Sequence, residues 1–367
     1  MSVQISYKKQ VVLGLMFLLV ILAGIEIIGR VVLDQRDSCN QSLPMSGLYE
    51  HLTVGQLKKI CQDYQSIIQY PLPFAHYEPN QKTDTVTINS HGFRGEDFEK
   101  EKTNDSEYRI FMVGGSAMYG VYATSDGTTI PGYLQQLYNE FTVDHNIRVI
   151  NGGANTHESF AETHLIMNKI LGFNPDLIIV LDGWNDLNSP VKTEYNEPTG
   201  LEKIEQYSLV IRKYYKTIQF YEFLERVWIK QFDNEQKNLN DDTIEEKTFL
   251  WKSRWEEICE LGEKENFKVI ITLQPILGVG NKVLTDWELR NVKELPDQNP
   301  ISTYLPMQDQ LKDLEKKCTA TADLTDIFDD ETGLIYFDYA HMGDKGNGII
   351  AQKIFNVSSP YIFDSQG

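Results

Sequence analysis

The sequence predicts an α/β protein, a three-layer α/β/α sandwich around a five-stranded parallel sheet, preceded by one transmembrane helix. Three observations predict it. Short β-rich apolar runs, "YRIFMVGG", "IRVING", "DLIIVLDG" and "FKVIITLQ", with "TATADLTDIF" as a fifth, recur through the second two-thirds of the chain. Between them lie longer stretches of helical pattern, such as "TIPGYLQQLYNEF", "SFAETHLIMNKILGF" and the segments around 203–231 and 243–265. Strands apolar on both sides and separated by helices belong to a parallel sheet covered on both faces. The third observation is an uncharged run at the amino terminus, "VVLGLMFLLVILAGI", Val11 to Ile25.

That run follows Lys8 and Lys9 and keeps its apolar character to Leu33, interrupted only by Glu26 and Arg30 one helical turn apart. Counted to Leu33 it reaches the ~20 residues a bilayer requires. No small-x-small cleavage pattern follows, so an uncleaved anchor is the reading preferred over a removed signal peptide. The two lysines place residues 1–10 in the cytoplasm, 11–33 in the cell membrane and everything after them outside. A cytoplasmic enzyme on an inverted anchor remains the alternative. Residues 34–106, with the aperiodic "YPLPFAHYEPN" and a charge run ending near Asp105, read as a stalk and lead-in, and 107–367 as the globular domain. Sequons at Asn40, Asn104 and Asn356 are compatible with an exterior location and decide little.

The formal net charge of −19 disfavours a nucleic-acid partner. Cys39, Cys61, Cys259 and Cys318 make an even count with no CxxC or Cys/His metal spacing. Outside the cytoplasm Cys39 and Cys61 can pair across a short loop, which spacing alone does not establish.

Ligands of a parallel α/β sheet bind beyond the carboxyl ends of its strands. Those ends read, in order, Ser116, then "NGGANTHES", then "DGWNDLN", and far downstream "FDYAHMGDKGN". A serine nucleophile needs a base, an orienting acid and donors for the developing oxyanion. His341 and Asp338, three apart, supply the first two from one loop. Asn185 and the backbone N–H of Ser116 are candidates for the third.

The set resembles the SGNH or GDSL-like hydrolase superfamily, in its membrane-anchored form, with four blocks in family order between Arg109 and Lys353. "GGS" ending in Ser116 stands for the nucleophile block, "GWND" for the block through Asn185, and "DYAH" for the closing block through Asp338 and His341. The resemblance implies a flavodoxin-like sheet and a Ser116, His341, Asp338 triad acting without metal or organic cofactor on an acyl ester of a glycan or lipid. Gly115 replaces the usual aspartate. In the second block Thr156 falls where a glycine N–H normally serves the oxyanion hole, with Gly153 the nearest alternative. A surface-glycan O-acyltransferase using the same residues, or a non-catalytic envelope binding protein, would share this sequence pattern.

Three further features are read as structural. Asp186 is a turn or cap residue, His157 and His164 are surface histidines, and the aromatic-rich Tyr214 to Trp228 is ordinary packing.

Overall fold

The computed structural model describes residues 6–35, 39, 47–70, 76–104, 106–141, 146–193, 243–294 and 300–363. They fall into two compact units, Met1–Gln41 with Asn196–Asn240, and Ser42–Tyr195 with Asp241–Gly367. The helix expected over 203–231, with its aromatic stretch, lies outside the described residues.

In the first unit α1, Tyr7–Gln35, contains a stretch, Tyr7–Ile28, long and apolar enough to cross a membrane by length and composition. Its side chains from Val11 to Leu22 are exposed, as those of a lipid-facing helix are.

The second unit is built on a parallel sheet of β1 (Glu107–Gly114), β2 (Asn146–Gly153), β3 (Leu177–Asp182), β4 (Lys268–Leu273) and β5 (Ala320–Asp323), in the order β2-β1-β3-β4-β5. This is the flavodoxin-like 2-1-3-4-5 order, with β1 at the switch point. Alternation explains why both faces are covered. Phe111 and Val113 point into one core layer with α5 (Ser159–Asn168), α7 (Ile244–Glu265) and α9 (Pro300–Leu314), whereas Ile110 and Met112 point into the other with α4 (Ile130–Phe141) and α10 (Asp344–Phe363). The register is level at the carboxyl ends: Gly114 pairs with both Gly153 and Leu181, and Leu273 pairs with Asp182 and Asp323. Loops leaving the strands therefore emerge side by side.

The boundary drawn at 106/107 falls inside this unit. Phe93 and Phe98 stack on Phe111 and Phe173, and Tyr77, Val86 and Ile88 pack with Tyr119. Helix α2 (Val54–Ser66), started by a Thr53 capping box, places Tyr64 against Tyr119 and Tyr122. Cys259 on α7 is disulfide-bonded to Cys318 at the start of the turn into β5, a pair that spacing did not reveal. Cys39 and Cys61 are each held in a disulfide too.

One buried cation fastens the segment before β1 to the sheet. Arg109, fully buried, spends all five donors: Nε on Glu107 at 2.8 Å, and its two terminal nitrogens on the carbonyls of Lys100, Phe173, Glu99 and Glu101. Burial alone would raise Glu107, but Arg109 and the N–H and hydroxyl of Thr103 hold it at about 2. Removing one partner of a buried pair leaves the other charge uncompensated. Arg109→Met is expected to destabilise the protein by about 3–5 kcal/mol, measured from the midpoint of urea unfolding; a loss under about 1 kcal/mol would rule the clamp out.

Candidate active site

The nucleophile turn is set by β1. The strand ends at Gly114, and Ser116 opens the one-turn helix α3, Ser116–Tyr119, so its N–H belongs to the first turn, whose donors have no intrahelical partner. At the other end Gly120 takes a left-handed conformation, φ 88°, and the carbonyls of Tyr119 and Gly120 accept from Arg94 Nη1 at 3.1 and 2.7 Å. Arg94 is itself held by Asp126 at 2.8 Å. The lead-in thus supplies the cation that closes the α3 carboxyl end.

The structure brings Ser116, His341 and Asp338 together from positions 225 residues apart in sequence. His341 Nε2 lies 2.6 Å from Ser116 Oγ, and His341 Nδ1 lies 2.7 Å from Asp338 Oδ2. An imidazole N–H donates to a carboxylate, so the proton sits on Nδ1 and Nε2 is left to accept the serine hydroxyl. The other carboxylate oxygen, Oδ1, accepts from the backbone N–H groups of Ala340 and His341 at 2.8 and 2.9 Å, which locks the loop around its own acid. Burial alone would raise Asp338, but the adjacent His341 ring and those N–H groups hold it below the usual carboxylate range.

The candidate oxyanion donors of the sequence lie in the segments after β2 and β3. α6, Trp184–Asn188, follows β3 after Gly183 and carries Asn185, whose Nδ2 donates to the carbonyl of His157 at 2.6 Å and keeps a second N–H. A Cβ on Gly115 would lie 2.3 Å from that nitrogen, which places the amide over the nucleophile turn. Thr156 is exposed, with φ 59° in the left-handed region where a glycine is at ease, and its hydroxyl donates to Asn155 O at 2.7 Å. Its N–H makes no backbone hydrogen bond among the described residues. Gly153 is not available in the same way: its N–H donates to Asn151 Oδ1 at 2.9 Å inside the sheet end.

Asp186 takes the cap role expected of it, and two further contacts escape sequence reading. Asp186 accepts from the N–H and hydroxyl of Ser159 and thereby starts α5, with Arg254 3.5 Å away. Trp184 and Tyr339 stack with centroids 4.9 Å apart, each adjacent in sequence to a site residue. His157 is buried, 6% exposed, and not a surface histidine as expected, because its ring packs on that of His76 beneath the β2 turn, centroids 5.8 Å apart. His164 turns Nδ1 to Phe160 O instead.

No protein-family model matches the sequence, and no curated protein matches it. Among solved structures it is similar to the acetyl xylan esterase AlAXEase, at 13% identity over 68% of this chain and 98% of that one, TM-score 0.40. It is also similar to LAE5, an alpha/beta hydrolase enzyme from the metagenome of Lake Arreo, at 14% identity over 69% and 95%, TM-score 0.42. A third is Axe2, an acetylxylan esterase from Geobacillus stearothermophilus, at 12% identity over 68% and 93%, TM-score 0.41. Identity this low leaves the function to be read from this chain's own side chains.

Burial pushes His76 well below its ordinary 6.5 and His157 down to about 3, with nearby positive groups adding to the effect. Both are neutral in the folded protein, whereas an unfolded chain protonates them as pH falls through about 6.5. The folded pKa values lie below the unfolded ones, so stability is lost as pH drops, by about 1.4 kcal/mol per unit for each ring. Compared by urea unfolding at about pH 7 and about pH 5, His76→Phe is expected to lose about 2 kcal/mol less than the wild type over that interval. Equal losses would mean that His76 is not buried neutral.

Proposed function

We propose that this chain is a membrane-anchored serine ester hydrolase whose Ser116, His341 and Asp338 act on an acylated glycan or lipid. The observation that carries the reading is the continuous line Asp338 Oδ2, His341 Nδ1, His341 Nε2, Ser116 Oγ, with both links within 2.7 Å. In the proposed cycle Ser116 Oγ attacks the acyl carbon while His341 Nε2 takes its proton, and Asp338 holds the Nδ1–H and stabilises the imidazolium that forms. The oxyanion receives the N–H groups of Ser116 and Thr156 and the second amide hydrogen of Asn185. Collapse expels the alcohol as His341 returns the proton to its oxygen, and water then repeats the sequence on the acyl-serine.

An exterior location for the domain is supported by Lys8 and Lys9 ahead of the apolar run of α1 and by the absence of any free cysteine among the described residues, since disulfides persist in oxidising compartments.

Hydrolysis of aryl acetates by the wild type and by Ser116→Ala tests the nucleophile. The variant is expected to lose about 10³-fold or more in kcat; equal rates would sink the reading. Thr156→Gly keeps the backbone N–H and relieves a left-handed β-branched residue, which costs roughly 1–2 kcal/mol. It is expected to hold kcat within about 2-fold while raising the thermal midpoint by a few degrees. A large loss of kcat would show that the threonine side chain itself, and not its N–H, serves the site.

A further inference from the structure

The acid and histidine sit on a loop that leaves the sheet after β5, so its peptide groups have no ladder to pair with and must be satisfied elsewhere. Within the loop Phe337 N–H donates to His341 O at 2.8 Å and Gly343 N–H to Ile335 O at 3.1 Å. Between residues 333 and 341, the bonds that the loop's peptide groups make to segments outside it among the described residues come from one stretch, Gln274 to Glu288, which follows β4 and runs into α8, Asp286–Glu294. Gln274 Nε2 donates to Ala340 O at 3.1 Å and Leu277 N–H to Tyr339 O at 2.8 Å. Trp287 Nε1 donates to Phe337 O at 3.0 Å. Glu288 Oε1 accepts from the N–H groups of Ile335 and Tyr336 at 3.1 and 3.2 Å. Its other oxygen takes Lys282 Nζ at 2.9 Å and the N–H of Thr285 at 2.9 Å, and the same Lys282 ammonium donates to Gly333 O at 2.9 Å.

We propose that the Lys282–Glu288 ion pair, buried between α8 and residues 333–336, is a positioning device that sets the height of Asp338 and His341 above Ser116. Glu288 is fully buried and the Lys282 side chain is 5% exposed, an arrangement that costs desolvation energy and that a pair of apolar residues would avoid. What an apolar pair cannot do is accept two adjacent peptide N–H groups and donate to the carbonyl of Gly333 at once. Burial alone would raise the Glu288 carboxyl, but the N–H of Thr285, Lys282 and the two loop N–H groups outweigh it and keep it ionised, below its usual range. Lys282 neutralises the carboxylate, so the pair fixes geometry without adding a net charge to the loop. Glu288 touches neither substrate nor reacting atoms; it acts through the peptide groups two and three residues before Asp338.

This inference rests on the proposal that Ser116 and His341 carry out ester hydrolysis, and the test separates the two. Full-length wild type, Glu288→Ala, Glu288→Gln, Trp287→Phe and Ser116→Ala are assayed on an aryl acetate at a temperature where all remain folded, and hydrogen exchange of residues 333–343 is followed in parallel. A shift of the catalytic groups by about 1 Å costs on the order of 10²-fold. Glu288→Ala is therefore expected to lose roughly 10- to 100-fold in kcat with KM unchanged, and to exchange faster at residues 335–341 alone. Glu288→Gln retains an oxygen for the two N–H groups and is expected to recover most of kcat. Trp287→Phe deletes the bond to Phe337 O while keeping an aromatic ring beneath Arg290, and is the milder variant, expected to lose a few-fold, should Glu288→Ala fail to fold. A general fall in thermal midpoint with kcat intact, or equal losses in Ala and Gln, would overturn the positioning role. If Ser116→Ala is as active as the wild type, the nucleophile reading fails; the exchange arm still decides, because unchanged protection of the loop in Glu288→Ala overturns the strut and selective loss supports it.

Discussion

Three strand ends approach one another more closely than any Cβ would allow. A Cβ on Gly114 would lie 2.5 Å from Leu181 O, one on Gly115 2.3 Å from Asn185 Nδ2, and one on Gly153 2.2 Å from Tyr119 N. Each is inside the closest distance that real Cβ atoms reach, so the level ends of β1, β2 and β3 and the turn of α3 can nest only because these side chains are missing. The nesting sets the width of the site. With a Cβ at Gly115, Asn185 would have to retreat from the turn that carries Ser116, and its grip on the His157 carbonyl would go with it. The glycine where related blocks carry aspartate is therefore a spatial requirement of this particular site.

Sequence patterning reached the sheet and the residues that meet at its carboxyl edge for the same reason. Buried parallel strands are written as uninterrupted apolar runs, and the residue after each run is fixed at the carboxyl edge by register alone. Ser116, Asn185, Asp338 and His341 were thus locatable from four short strings. What patterning could not reach is everything that depends on side chains meeting across long sequence distances. Nothing in "INSHGFRGEDF" announces that Arg94 closes the α3 carboxyl end, or in "YEHL" that Tyr49 Oη bonds both Tyr122 O and Asp344 at 3.1 Å, tying the nucleophile segment to the start of α10. The Cys259–Cys318 pair and the burial of His157 are of the same kind. Thr156 stood where a glycine was wanted, and the left-handed φ it adopts explains why: the turn demands the conformation, and the threonine bears its cost.

The same logic governs the exposed edge of the sheet. β2 lies at one end of the strand order, where unpaired peptide groups invite another chain. Gln135 on α4 answers with its side-chain amide, accepting from Val149 N–H at 2.7 Å and donating to Ile147 O at 3.0 Å, while Arg94 N–H covers Asn151 O at 3.3 Å. An amide side chain offers the donor and acceptor of a peptide without a strand's length, so the edge is paired but not extended.

Around the proposed reaction centre burial moves several titratable groups away from their ordinary ranges. Glu162 and Asp182, both buried, are pushed well above the ordinary carboxylate range by desolvation and by the acids near them. His76 and His157 on the near side of the same turn are held neutral. Asp338 moves the opposite way, kept ionised by the imidazole and two N–H groups that face it. In the proposed cycle the proton leaving Ser116 is taken up by an imidazole whose Nδ1 lies 2.7 Å from the Asp338 carboxylate. In a medium of low effective dielectric a single fixed charge at that distance stabilises an imidazolium more than a larger, mutually cancelling set would.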